Sequence, residues 1–221
     1  MSSKERLRKW RYDPISFSML KILAVLAVFM VSSGVAFAKP PTLLVLGDSL
    51  TAGYGLEASE AFPVKLEAAL KAKYPDVKII NAGVSGDTAA DGLARLDWAL
   101  TDDVTGLMVE LGGNDALRGL GVAQTEAALD GILAKAKSRN LPLLILGMKA
   151  PPNMGSEYVT QFDGLYPKLA EKYQALLVPF FLDGVAADPG LNQADGIHPN
   201  VKGVDIIVSR VLPKVEELIA K

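Results

Sequence analysis

No cysteine occurs in the 221 residues, and there is a single histidine. The first absence excludes disulfides, thiol catalysis and lipid attachment through a thiol. With one histidine, no cysteine and no H-E-x-x-H pattern, no zinc-binding set can be assembled, so neither a metal nor a cofactor is expected. Long apolar runs are also missing. The longest near the start, "ILAVLAVFMV" (22–31), has ten residues, whereas a membrane-spanning helix needs about 20. Basic charge is not in excess either, with 23 Lys and Arg against 25 Asp and Glu, which argues against a nucleic-acid partner. Finally, no serine sits in a G-x-S-x-G elbow: in "GVSGD" (83–87) Asp87 stands where the last glycine belongs, so an ordinary α/β-hydrolase is excluded.

What is present begins with an export signal. Lys4, Arg6, Arg8, Lys9, Arg11 and Lys21 precede the apolar run, and "SSGVAFA" (32–38) follows it, with the small residues Ala36 and Ala38 before the expected cut. Basic lead, short apolar stretch and small residues make up a secretory signal peptide. Cleavage after Ala38 leaves a single domain over 39–221 with 17 basic against 23 acidic side chains, periplasmic or secreted. Two alternatives stay open: the segment is retained as a membrane anchor, or translation starts at Met19.

Along the mature chain, short apolar runs alternate with longer amphipathic ones. Strands are expected at 41–47, 77–83, 106–113, 141–151 and 175–182, with Pro179 near the end of the last. Helices are expected at 60–74, at 88–100 capped by Asp87 or Thr88, at 125–139, at 157–173 and at 200–220. Pro167 should kink or divide the fourth of these. Fully apolar strands separated by helices indicate a parallel sheet covered on both faces. Right-handed crossovers then give a three-layer α/β/α sandwich. In such sheets, sites form beyond the C-terminal ends of the strands.

Four loops in that position carry chemistry. "LGDSLTAGYG" (46–55) presents Ser49 after the first strand. A serine hydroxyl needs a base to become a nucleophile. The only candidate is His198, in "QADGIHPN" (193–200), after the fifth strand. Asp195, three residues earlier, can fix the imidazole tautomer and stabilise the imidazolium. "NAGVSGDT" (81–88) offers Gly86, and "GGNDALRG" (112–119) offers Asn114, as donors to an oxyanion. Taken singly, His198 fits a surface loop, the glycines fit turns and Asn114 fits a cap; the case rests on their convergence at one sheet edge. Gly47, Ala52 and Gly53 are expected to keep space open at Ser49 for an acyl carbonyl.

These blocks, in this order, resemble the SGNH or GDSL-type hydrolases over essentially the whole mature chain. With "SGDTAADGLARL" (85–96) and "YPKLAEKY" (166–173) added, the closest likeness is to multifunctional periplasmic bacterial esterases with acyl-CoA thioesterase, lysophospholipase and arylesterase activity. The resemblance implies a flavodoxin-like five-stranded parallel sheet of order 2-1-3-4-5. It implies Ser49 as nucleophile, His198 as base, Asp195 as its orienter, and an oxyanion hole from Ser49, Gly86 and Asn114. It also places an acyl-groove loop at 148–158, with Met148, Met154 and Tyr158 as substrate-contacting candidates, although core packing explains them equally well. The implied partner is an acyl ester, thioester or lysophospholipid, met by a monomer with transient membrane-surface contact. Two other readings remain: a carbohydrate O-acetylesterase of the same fold, and a non-catalytic lipid-binding protein.

Overall fold

A computed structural model describes residues 39–221; the expected signal segment, 1–38, lies outside the described residues. The unit running from Pro40 to Lys221 contains five strands: β1 (Thr42–Gly47), β2 (Lys78–Gly83), β3 (Gly106–Glu110), β4 (Leu143–Leu146) and β5 (Leu176–Val178). Every pairing is parallel, and the order across the sheet is β2-β1-β3-β4-β5. This is the doubly wound arrangement expected.

The helices are α1 (Ser49–Ala52), α2 (Phe62–Leu70), α3 (Ala89–Ala99), α4 (Gly113–Leu117), α5 (Val122–Ser138), α6 (Ser156–Asp163), α7 (Leu165–Tyr173) and α8 (Val201–Ile219). The crossover from β1 to β2 runs opposite to those that lead to β3, β4 and β5. With right-handed crossovers, α2 therefore covers one face and α3, α5 and α7 the other. The helix α8 packs against α2, and α3 against α5. The strand β1 is buried at all six positions and hydrogen-bonded on both sides, as a central strand with no free edge should be. The outer strand β2 is half-exposed along its length.

Two differences from expectation have a local cause. The segment 157–173 is divided, but at Gly164 rather than at Pro167. Pro167 sits in the first turn of α7, where its missing N–H costs no helical bond. The fifth strand stops at Val178 because Pro179 cannot donate to a ladder; the chain then turns so that Phe181 donates to the Gly147 carbonyl at 2.7 Å. The helix α3 is capped by Thr88, one of the two residues expected: the Thr88 hydroxyl accepts from Asp91 N–H, while the Asp91 carboxylate accepts from Thr88 N–H.

The winding reverses between β1 and β3. Ligand crevices in open α/β sheets lie at such a reversal, beyond the strand ends. Ser49 follows β1 and Asn114 follows β3, so the two flank it.

Candidate active site

The strand β1 ends at Gly47, and Asp48 opens α1 by accepting the Leu50 N–H on its side chain at 3.0 Å. Gly53, with φ +84, closes this single turn in the left-handed region. Ser49 thus stands at the first helical position beyond the sheet edge, facing a cavity of about 740 Å³.

The loop between β5 and α8 brings His198 to it. The Asp195 carboxylate accepts the backbone N–H groups of Ile197 and His198, both at 3.0 Å, in a tight side-chain turn. Its second oxygen lies 2.7 Å from His198 Nδ1, and His198 Nε2 lies 2.9 Å from Ser49 Oγ. The two backbone N–H bonds, followed by the imidazole, hold the Asp195 carboxyl down to about 2. An ionised Asp195 can only accept, so Nδ1 carries the proton and Nε2 offers its lone pair to the serine O–H. The arrangement can take a proton from Ser49 and hold it on a stabilised imidazolium.

Two further contacts fix this loop. Gln193 donates its amide to the carbonyls of Tyr54, at 2.7 Å, and Pro199, at 3.0 Å, tying the histidine loop to the serine loop. The Tyr54 ring lies against the imidazole, with centroids 4.6 Å apart. Neither residue is visible as functional in the sequence, because Tyr54 reads as a turn residue and Gln193 as loop polarity.

Gly86 and Asn114 line the same cavity as Ser49 and His198. Gly86, with φ +88, requires the freedom of glycine, and Arg118 holds its carbonyl at 2.7 Å. The Asn114 side-chain nitrogen donates to Asp48 Oδ2 and to the Asp87 carbonyl, both at 3.0 Å. Asp87 itself pairs with Arg95 at 2.6 Å, and Arg95 reaches the Gly47 carbonyl at 3.0 Å.

Beneath the serine lie two buried carboxyls. Asp48 is 2% exposed, and burial pushes it up to about 6, against the pull of the Leu50 N–H, His198 and Asn114. Glu110, at the end of β3, is fully buried. It accepts the Thr51 hydroxyl at 2.7 Å and the Asp48 N–H at 3.4 Å, while its Oε1 has no partner. Burial first, and the Asp48 charge second, push it well above the ordinary carboxylate range. The small residues nearby serve this packing. A Cβ at Gly47 would collide with Thr51 and Glu110, one at Gly53 with Ala61, and one at Gly83 with the Ala52 backbone. At Gly47 and Gly53 the clearance is thus taken by protein rather than left for an acyl carbonyl.

Of the three acyl-groove candidates, Met148 lines the cavity, and Met154 and Tyr158 do not. Met154 lies over Gly119, and Tyr158 donates to the Leu120 carbonyl at 2.9 Å beside Phe162. The lining is mainly apolar, with Leu50, Met148, Pro151, Phe180, Leu182 and Ile197 among its members. Among the described residues, no group of three His, Asp or Glu side chains could hold a metal, and no helix is long and apolar enough to cross a membrane.

The chain is similar to several known proteins. The profile of the GDSL-like Lipase/Acylhydrolase family matches residues 45–206. Esterase TesA of Pseudomonas aeruginosa is 41% identical over 179 residues, which is 80% of this chain and 89% of that protein. Thioesterase 1/protease 1/lysophospholipase L1 of Escherichia coli is 39% identical over 193 residues, 87% of this chain and 91% of that one. The crystal structure of AlinE4, an SGNH-hydrolase family esterase, is 49% identical, covers 82% of this chain and 98% of its own, and superimposes with a TM-score of 0.69.

Proposed function

This chain belongs to the GDSL-like lipase/acylhydrolase family, the SGNH hydrolases, and is a carboxylic ester hydrolase; from that premise we propose that it works through an acyl-enzyme on Ser49. The observation that carries the reading is the unbroken chain Ser49 Oγ, His198 Nε2, His198 Nδ1, Asp195 Oδ2, with contacts of 2.9 and 2.7 Å. As Ser49 attacks the acyl carbonyl, His198 takes its proton and Asp195 stabilises the imidazolium. The tetrahedral oxyanion is received by the N–H groups of Ser49 and Gly86 and by the Asn114 amide. His198 then gives its proton to the leaving oxygen or sulfur. A water deprotonated by His198 attacks the acyl-enzyme in turn, and Ser49 leaves with the returned proton.

The substrates are acyl esters of aryl alcohols, acyl thioesters and lysophospholipids. The apolar lining and the volume of the cavity support a chain longer than acetyl, since two carbons would leave most of that surface unfilled. This weighs against the carbohydrate O-acetylesterase reading. A base within hydrogen-bond reach of the serine weighs against a purely lipid-binding role. The basic and apolar start of the sequence supports export before use, and the enzyme acts as a monomer that touches membrane surfaces transiently.

Ser49→Ala is expected to lower kcat on p-nitrophenyl esters at least about 10³-fold with an unchanged circular dichroism spectrum. Retained turnover would remove Ser49 from the mechanism. A panel of esters from two to sixteen carbons should give its highest kcat/KM beyond acetyl; a maximum at acetyl would restore the O-acetylesterase reading.

A further inference from the structure

The Asn114 amide has two N–H groups, and the resting structure uses both. One points to Asp48 Oδ2 and the other to the Asp87 carbonyl, each at 3.0 Å. Both neighbours are acceptors, so the nitrogen and not the oxygen of the amide must face them. An Asn114 that donates to an oxyanion must therefore release one of these bonds. The two are unequal. The Asp87 carbonyl is neutral and belongs to the turn after β2. Asp48 is a buried carboxylate, and a hydrogen bond to an ionised acceptor is roughly twice as strong as one between neutral groups.

The Asp48 oxygen is also the better anchored. Its other carboxylate oxygen accepts the Leu50 N–H at 3.0 Å, and its backbone N–H lies over Glu110 Oε2 at 3.4 Å. Thr51 donates to that same Glu110 oxygen at 2.7 Å, an approach that a side chain at Gly47 would block. The Asp87 bond is thus the one that yields.

Building on the assignment of Asn114 to the oxyanion hole, we propose that Asp48 is a positioning residue for the transition state: its buried carboxylate is the pivot on which the Asn114 amide turns from the Asp87 carbonyl to the developing oxyanion. Asp48 touches no reacting atom and acts through Asn114. It holds one N–H fixed, so the direction of the other is set before charge develops on the substrate, and the reorganisation is a single exchange of acceptors. The serine-adjacent aspartate thus has a role separate from capping α1.

A double-mutant cycle on the full chain tests this, with Asp48→Asn, Asn114→Ala and the pair compared by kcat and KM on one p-nitrophenyl ester and by thermal unfolding. Asn114→Ala should lower kcat about 10²-fold or more. Asp48→Asn should lower kcat about tenfold with KM within twofold, and should cost less than twofold once Asn114 is absent. Asp48→Ser repeats the cycle with a residue that still caps Leu50 but is too short to reach Asn114, and covers the case in which the first variant folds poorly. An equal loss in both backgrounds, or a loss confined to KM, overturns the pivot. A normal kcat for Asn114→Ala would instead overturn the oxyanion assignment, and the pivot with it.

Discussion

Asp48 and Asp195 start as the same functional group, and the fold drives them in opposite directions. Asp48 sits just beyond the end of β1, bonded to Glu110 and Asn114, and burial raises its carboxyl to about 6. Asp195 lies on an open loop and accepts two backbone N–H groups and an imidazole, which lower it to about 2. Desolvation disfavours the charge in the first case; donated hydrogen bonds favour it in the second. The contrast extends to the surroundings. The serine side of the site is built from strand ends packed into the core, and the histidine side from side-chain turns on an irregular loop. One side gains its accuracy from packing, the other from local hydrogen bonds.

The largest effect that would sharpen this contrast is on the loop side. Asp195→Asn would present an amide N–H to Nδ1 and favour the tautomer that leaves Nε2 protonated, so kcat should fall about 10³–10⁴-fold, with little change in thermal stability. A fall of only a few-fold in steady-state assays would mean that the imidazole is oriented by something else, such as the Tyr54 ring or the Gln193 tether.

Next comes a pair of glycine substitutions compared by chemical denaturation. A Cβ at Gly83 meets the Ala52 backbone, which cannot move without displacing α1, and Gly83→Ala should cost about 3 kcal/mol. Gly196, with φ +75, has nothing within 4 Å of an added Cβ, and Gly196→Ala should cost about 1 kcal/mol through backbone strain alone. Equal costs would erase the distinction between a packed side and a local one.

The smallest effect concerns the buried acids. Glu110 is raised above its ordinary value, so above that value the unfolded chain releases a proton that the folded protein keeps. Stability attributable to Glu110 is therefore fullest at low pH and is lost as pH rises toward the folded value. Glu110→Gln lacks this dependence. Its stability relative to the parent should rise between pH 5 and pH 8 in thermal unfolding; a flat difference would mean that Glu110 ionises normally.

Much of the site was legible because each chemical residue follows its own strand. Apolar runs located the strands, parallel topology put their ends at one edge, and Ser49, Gly86, Asn114 and His198 fell into four loops there. The layer beneath was not legible. Asp48 reads as a cap and Glu110 as the polar end of a strand; only the third dimension brings them together. One signal was nonetheless present, since a glutamate closing "GLMVE" (106–110) in a strand covered on both faces has no solvent to reach. The division of 157–173 at Gly164 was misread for a local reason. A proline in the first turn of a helix is well tolerated, so Pro167 marks a beginning and not an interruption. Met154 and Tyr158 were suggested by chain position alone, and their side chains are engaged elsewhere, with Gly119 and Leu120.

The serine and the histidine that meet at 2.9 Å are 149 residues apart in the chain. During synthesis the proposed nucleophile emerges with the first strand, while its proposed base arrives only after the fifth, just ahead of the last helix. Under the proposed mechanism a nascent or truncated chain carries an inert serine, and hydrolysis begins only once the two ends of the domain have met. Recovery of turnover during refolding thus times the closure of the whole molecule, and a cell that makes this enzyme is spared its activity until the product is complete.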